Sequence, residues 1–206
     1  MSRRRSVLIL HGWGGNKPEH WQELAASALV GAGMTVHYPR MPEPAAPSLG
    51  SWLTRLREEA QVIGDDPTLT VLCHSLGAIT WMHYAASVSG RVADRVLLVA
   101  PPYVMPAIPP IDAPAGVASF FPPPMDAAAI ARAAAHTMVV ASDNDDYATF
   151  EQARTYAQRL QIPAHLLAGA GHISPYWGYG EWPWVVEWCL GRAGLPPRPR
   201  PVGAAP

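Results

Sequence analysis

The stretch "VLCHSLGA" (71–78) ends an apolar run in a His-Ser pair, followed by Leu76 and Gly77. A serine on a sharp strand-to-helix turn can act as a nucleophile. The turn exposes its oxygen and aims the N–H of the next residue, here Leu76, at a developing oxyanion. Small residues two positions before and after the serine let strand and helix approach closely. Gly77 meets that need, and Cys73 stands where a glycine is usual. The degenerate motif alone reads equally well as a hydroxyl capping a helix.

A nucleophilic serine needs a base, and the base needs an orienting acid. Among the eight histidines, His172 in "GAGHIS" follows the last apolar run and is flanked by small residues that let a loop present an imidazole. His37, His136 and His165 fall in or beside expected strands, His83 in a helix and His74 in the elbow itself. Between serine and histidine, "VVASDNDDY" runs an apolar strand into three acids. Asp145 is the first choice to hold the imidazole tautomer, with Asp143 and Asp146 as alternatives suited to a turn or helix cap. A second oxyanion donor is expected from the glycine-rich "HGWGG" directly after "VLIL", at the N–H of Trp13. His11 and His74 beside these loops, and Tyr176 and Trp177 further on, are candidates to face a substrate. The aromatic residues at 176, 177, 179, 182 and 184 suit either a pocket wall or packing.

These groups need a scaffold. Apolar runs at Val7–Leu10, Thr35–Tyr38, Leu69–Leu72, Val96–Ala100, Met138–Ala141 and Ala164–Leu167 predict strands. Helical spacing occupies most intervals: about Trp21–Val30, a stretch from Leu49 capped by Ser48, Leu76–Ser87, Asp126–Ala134, Thr149–Leu160 and Pro183–Leu190. Arg55 and Glu59 are spaced to pair on an exposed helix face. Alternating strands and helices predict an α/β fold, a doubly wound, mostly parallel sheet of about six strands with helices on both faces. Functional groups then belong in loops beyond the strands' carboxyl ends.

A single domain is expected over 1–192, with a Pro-rich tail over 193–206 that is disordered or extended. Nine prolines between 101 and 124 forbid a regular helix there and predict a long loop. A net charge of −1 with 15% charged residues offers no field to recruit nucleic acid or an anionic membrane. The basic start has too short an apolar run for a signal peptide, and no stretch is long enough to span a bilayer, so a cytoplasmic protein is expected. The chain has two cysteines without a CxxC pair, which indicates neither a zinc site nor a disulfide framework.

With "LHGWGGNKPEHWQ", "CHSLGA", "ASDNDDYATFEQA" and "GAGHISPYWGYGEWPW", the chain resembles the α/β-hydrolase superfamily. Within it, it is similar to the small lidless serine hydrolases that include retinoblastoma-binding protein nine and its bacterial relatives. The resemblance covers nearly everything before the tail. It implies a catalytic set of Ser75, Asp145 and His172, and assigns the acid to Asp145 rather than Asp143. It further implies carboxylesterase chemistry on small acyl esters. The triad mechanism needs no cofactor or metal, and a monomer or small homo-oligomer is expected. Departures are Cys73, Asp146 where proline is common, and the Pro-rich segment after Ala100. The same set would equally serve a thioesterase, acyltransferase or cyclase, and a binding protein on this fold with a vestigial site is a further alternative.

Overall fold

A computed structural model describes residues 5–106 and 116–196. The middle of the proline-rich segment and all of the tail beyond residue 196 lie outside the described residues.

Six strands form one parallel sheet: β1 (Ser6–Leu10), β2 (Thr35–His37), β3 (Thr70–His74), β4 (Ala93–Val99), β5 (Ala134–Ala141) and β6 (Ala164–Leu166), in the order β2-β1-β3-β4-β5-β6. Helices α1 (Trp21–Gly31), α2 (Leu49–Ile63), α3 (Leu76–Ser87), α4 (Ala127–Ala133), α5 (Phe150–Leu160) and α6 (Pro183–Cys189) supply the crossovers and a closing helix. This is the α/β-hydrolase fold without a large cap among the described residues.

The central strands are apolar throughout because both faces are covered, and alternate residues serve opposite cores. Leu8, Leu10, Val71, Cys73, Val96 and Leu98 pack beneath α2 to α5. Val7, Ile9, Leu72, Leu97 and Val99 turn the other way, onto α1 and α6. The chain leaves β1 outward to β2 and then returns to β3 on the other side of β1. That reversal between β1 and β3 opens a crevice at their carboxyl ends, where open α/β sheets place ligands. The loops after β1 and β3 are "HGWGG" and the His-Ser elbow.

Most expected elements are present, with local differences. Helix α4 stops at Ala133 and β5 begins immediately, four residues ahead of the expected Met138. Its first half, Ala134–Thr137, lacks the unbroken apolar run that marks a buried strand. Ser48 occupies the N-cap of α2, but its side chain makes no capping bond; the Leu49 N–H donates instead to Ser119 Oγ at 3.0 Å. Glu59 is not on an exposed face. It is buried, paired with Arg55 at 2.7 Å and with His37 of β2 at 2.9 Å, a tertiary partner that helical spacing does not reveal. No described helix is long and apolar enough to cross a membrane.

Candidate active site

The turn between β3 and α3 holds Ser75 at φ 53° and ψ −125°, a left-handed conformation that non-glycine residues rarely adopt. Two close approaches surround it. A Cβ on Gly77 would lie 2.5 Å from the Leu10 carbonyl oxygen, and one on Gly12 would lie 2.7 Å from Ser75 Cβ. The Ser75 N–H donates to the Val99 carbonyl at 2.9 Å, fastening the turn to β4. Cys73 is fully buried in the core beneath α2 to α5, where burial pushes its thiol well above the usual range. It packs there as a small apolar side chain.

His172 lies on the loop after β6, with its Nε2 2.9 Å from Ser75 Oγ. Its Nδ1 meets both carboxylate oxygens of Asp145, at 3.0 and 2.9 Å. The Asp145 side chain is 1% exposed, and its Oδ1 also accepts the Tyr147 N–H at 2.9 Å. A carboxylate on Nδ1 keeps the proton there and turns the Nε2 lone pair toward the serine. Asp143 faces elsewhere, accepting the Gly169 N–H at 2.7 Å, and Asp146 borders the cavity in front of Ser75.

Sequence reasoning missed how the acid loop grips the histidine loop. Ser142 Oγ accepts the Ala170 N–H at 2.9 Å, and Asn144 Oδ1 accepts the Gly171 N–H at 2.7 Å. With Asp143 on Gly169, three consecutive side chains hold three consecutive backbone donors just ahead of His172. The only sequence signal is the run Ser-Asp-Asn itself, all residue types that accept backbone N–H groups.

A cavity of about 540 Å³ opens over Ser75. Tyr103, Val104, Val117 and Phe121 form an apolar wall, while Asn16, His20, His74 and Ser174 contribute polar groups. Gly12 and Trp13 border it, and among the described residues no acceptor takes the N–H of Trp13 or of Leu76. The Trp13 loop is held at its flanks. The Gly14 N–H donates to the Pro44 carbonyl at 2.7 Å and the Trp13 indole N–H to the Ala45 carbonyl at 2.9 Å. A larger cavity of about 660 Å³, bordered by Arg95, His136 and Trp188, lies at the opposite, amino end of β4 and β5, away from these groups.

Three expected substrate contacts are placed differently. His11 is buried behind the loop: Nδ1–H donates to the Gly12 carbonyl at 2.8 Å, and Nε2 accepts the Met41 N–H at 3.1 Å. Both ring nitrogens are spent on backbone, so it shapes the loop instead of facing the cavity. Tyr176 is 88% exposed and does not line the cavity. Trp177 covers Gly171, where an added Cβ would lie 2.0 Å from the indole. Tyr179, Trp182 and Trp184 pack into the core beneath α1 and α6.

His74 does reach the cavity wall, and its Nε2–H donates to the His172 carbonyl at 2.9 Å. Burial, reinforced by His172 and His20, holds its ring well below the usual imidazole range. Nothing in the sequence marks His20 for chemistry beyond its place in "EHWQ". It lines the same cavity, and burial, with smaller effects from His172 and His11, lowers it to about 4.

A family model described as serine hydrolase matches residues 7–189. The ydeN gene product of Bacillus subtilis is 23% identical over 185 residues, covering 89% of this chain and 93% of the relative. Its solved structure superposes with a TM-score of 0.78 at 21% identity, over 91% of this chain and 98% of that one. A YdeN-like protein from Pectobacterium atrosepticum gives 0.67 at 22% identity, over 92% and 91%. A monoacylglycerol lipase from Paleococcus ferrophilus gives 0.64 at 16% identity, over 91% and 95%. The structural likenesses carry the fold.

Proposed function

The chain belongs to the serine hydrolase family, and from that premise we propose that it cleaves small carboxylic esters through an acyl-enzyme on Ser75. His172 acts as general base and acid in this reading, and Asp145 orients it. The observation that carries it is one continuous hydrogen-bonded line: buried Asp145 to Nδ1 of His172 at 2.9 Å, and Nε2 to Ser75 Oγ at 2.9 Å.

In the first half-reaction, Nε2 of His172 takes the Ser75 proton as Oγ attacks the ester carbonyl carbon. The oxyanion forms where the N–H groups of Trp13 and Leu76 can donate to it. One such donor is typically worth about 3–4 kcal/mol of barrier. The tetrahedral intermediate collapses, the bond to the alcohol oxygen breaks, and His172 returns its proton to that oxygen. A water then gives its proton to His172 and attacks the acyl carbon, releasing the carboxylic acid and restoring Ser75. The apolar wall of Tyr103, Val104, Val117 and Phe121 suits an acyl chain. The likeness in fold to a monoacylglycerol lipase accords with ester chemistry.

The test is labelling with a fluorophosphonate, which traps an activated serine. Wild-type protein is expected to label and the Ser75→Ala variant to stay blank. Equal labelling of the two would overturn the assignment of Ser75.

A further inference from the structure

The cavity over Ser75 straddles the carboxyl edge of the sheet. Val104 is part of the core beneath α2 to α5, and Tyr103, Val117 and Phe121 pack against it. His20 and Asn16 are tied to α1 on the other face. The His20 ring lies against Trp21, with centroids 5.6 Å apart, and Asn16 Nδ2 donates to Gln22 Oε1 at 2.6 Å. The site therefore has an apolar half and a polar half.

His20 is the N-cap of α1, and its Nδ1 accepts the Gln22 N–H at 3.2 Å. A neutral imidazole that accepts through Nδ1 carries its proton on Nε2. Among the described residues, nothing accepts from that Nε2. It is also not one of the sealed, partnerless buried polar atoms, which are Trp81 Nε1, Thr137 Oγ1, His165 Nε2 and Trp184 Nε1. His20 is only 6% exposed yet lines the cavity, so its free donor opens there. Burial keeps the ring neutral across the pH range of ordinary assays.

The place of this ring in the cavity follows from its neighbours. The His20 ring meets His74 edge-on, with centroids 4.8 Å apart, and His74 lies 4.9 Å from His172. During acylation His172 must protonate the leaving oxygen, so the alcohol half of the ester has to lie on the His172 side of Ser75. The acyl half is left with the apolar wall.

Resting on the Ser75 reading above, we propose that His20 is a specificity-determining residue whose Nε2–H donates to a hydroxyl oxygen on the leaving alcohol, so that the enzyme selects esters of hydroxylated alcohols. An unhydroxylated alcohol would leave the buried donor without a partner, and that loss produces the discrimination.

The probes are 2-hydroxyethyl and n-propyl esters of one acid, matched in size and differing in the terminal oxygen. Wild-type enzyme is expected to prefer the hydroxyethyl ester by about tenfold in kcat/KM, the size of one hydrogen bond. His20→Asn keeps a capping oxygen for α1 but cannot reach as far as Nε2, and should bring the ratio near one. His20→Gln restores an amide donor at greater reach and should recover part of the preference. Turnover of both esters with no wild-type preference overturns the His20 assignment alone, as does a preference that His20→Asn retains. Absence of wild-type turnover on either ester, together with no fluorophosphonate labelling, overturns the Ser75 reading and this assignment with it.

Discussion

Asn144 Oδ1 accepts the N–H of Gly171 at 2.7 Å, so the loop that bears Asp145 also holds the backbone immediately before His172. Asn144→Ala removes that grip without touching Ser75, Asp145 or His172. The expected result is a fall in kcat of about tenfold with KM little changed, since losing the acceptor of both the Gly171 N–H and the Ser142 hydroxyl loosens the loop that carries His172 without altering the cavity. Steady-state kinetics on any turned-over ester checks it. An equal rise in KM would place Asn144 in substrate binding.

The neighbouring acids separate by what they contact. Asp145→Asn is expected to cut kcat by about 10³–10⁴, because an amide no longer fixes the imidazole tautomer. Asp143→Asn should cost less than about tenfold, since its amide oxygen can still accept the Gly169 N–H. Comparable losses in the two variants would contradict the assignment of Asp145.

Cys73 fills core volume beside the elbow with its thiol fully buried. Cys73→Gly restores the usual residue of the motif, and should leave hydrolase activity within about threefold. It should also lower stability by about 1–2 kcal/mol through the lost side chain and added backbone freedom. Urea melts and kinetics on the same preparation report both. A collapse of activity in a well-folded variant would show that the elbow depends on the thiol's bulk.

Acid should destabilise the fold through its buried imidazoles. His20 and His74 are held below their ordinary range chiefly by burial, His20 at about 4. Between about pH 6.5 and 4 the unfolded chain therefore binds more protons than the folded one, and stability falls as the pH drops. At about 1.4 kcal/mol per pH unit, His20 alone accounts for about 3 kcal/mol across that window. Urea unfolding at pH 7, 5.5 and 4 measures the decline, and His20→Asn should flatten it. An unchanged slope in that variant would mean that His20 is protonated without penalty.

Much of the scaffold could be read from the chain because buried parallel strands and amphipathic helices leave strong local periods, as in Val7–Leu10 and from Leu49 onward. Ser75, Asp145 and His172 could be proposed together because each follows a strand, and strand order dictates which loops meet. Contacts set by tertiary geometry left no such trace. The His37 partner of Glu59 comes from a strand outside its helix. Trp177 and Tyr176 could be pocket or surface until the short turn that carries them is placed. His11 and His74 both stand at the carboxyl end of a strand, just before a turn. Only the acceptors around them show that His11 spends both nitrogens on backbone while His74 borders the cavity.

Gly77 abuts the carbonyls of Leu10 and His11, and Gly12 abuts Ser75. Elbow and loop are thus interlocked, and neither can shift without moving the other. The two candidate donors to the oxyanion, on Trp13 and Leu76, are set by the same joint before any substrate arrives. Such an enzyme has no reorganisation energy to supply at the moment of reaction, and its turnover should begin without a lag.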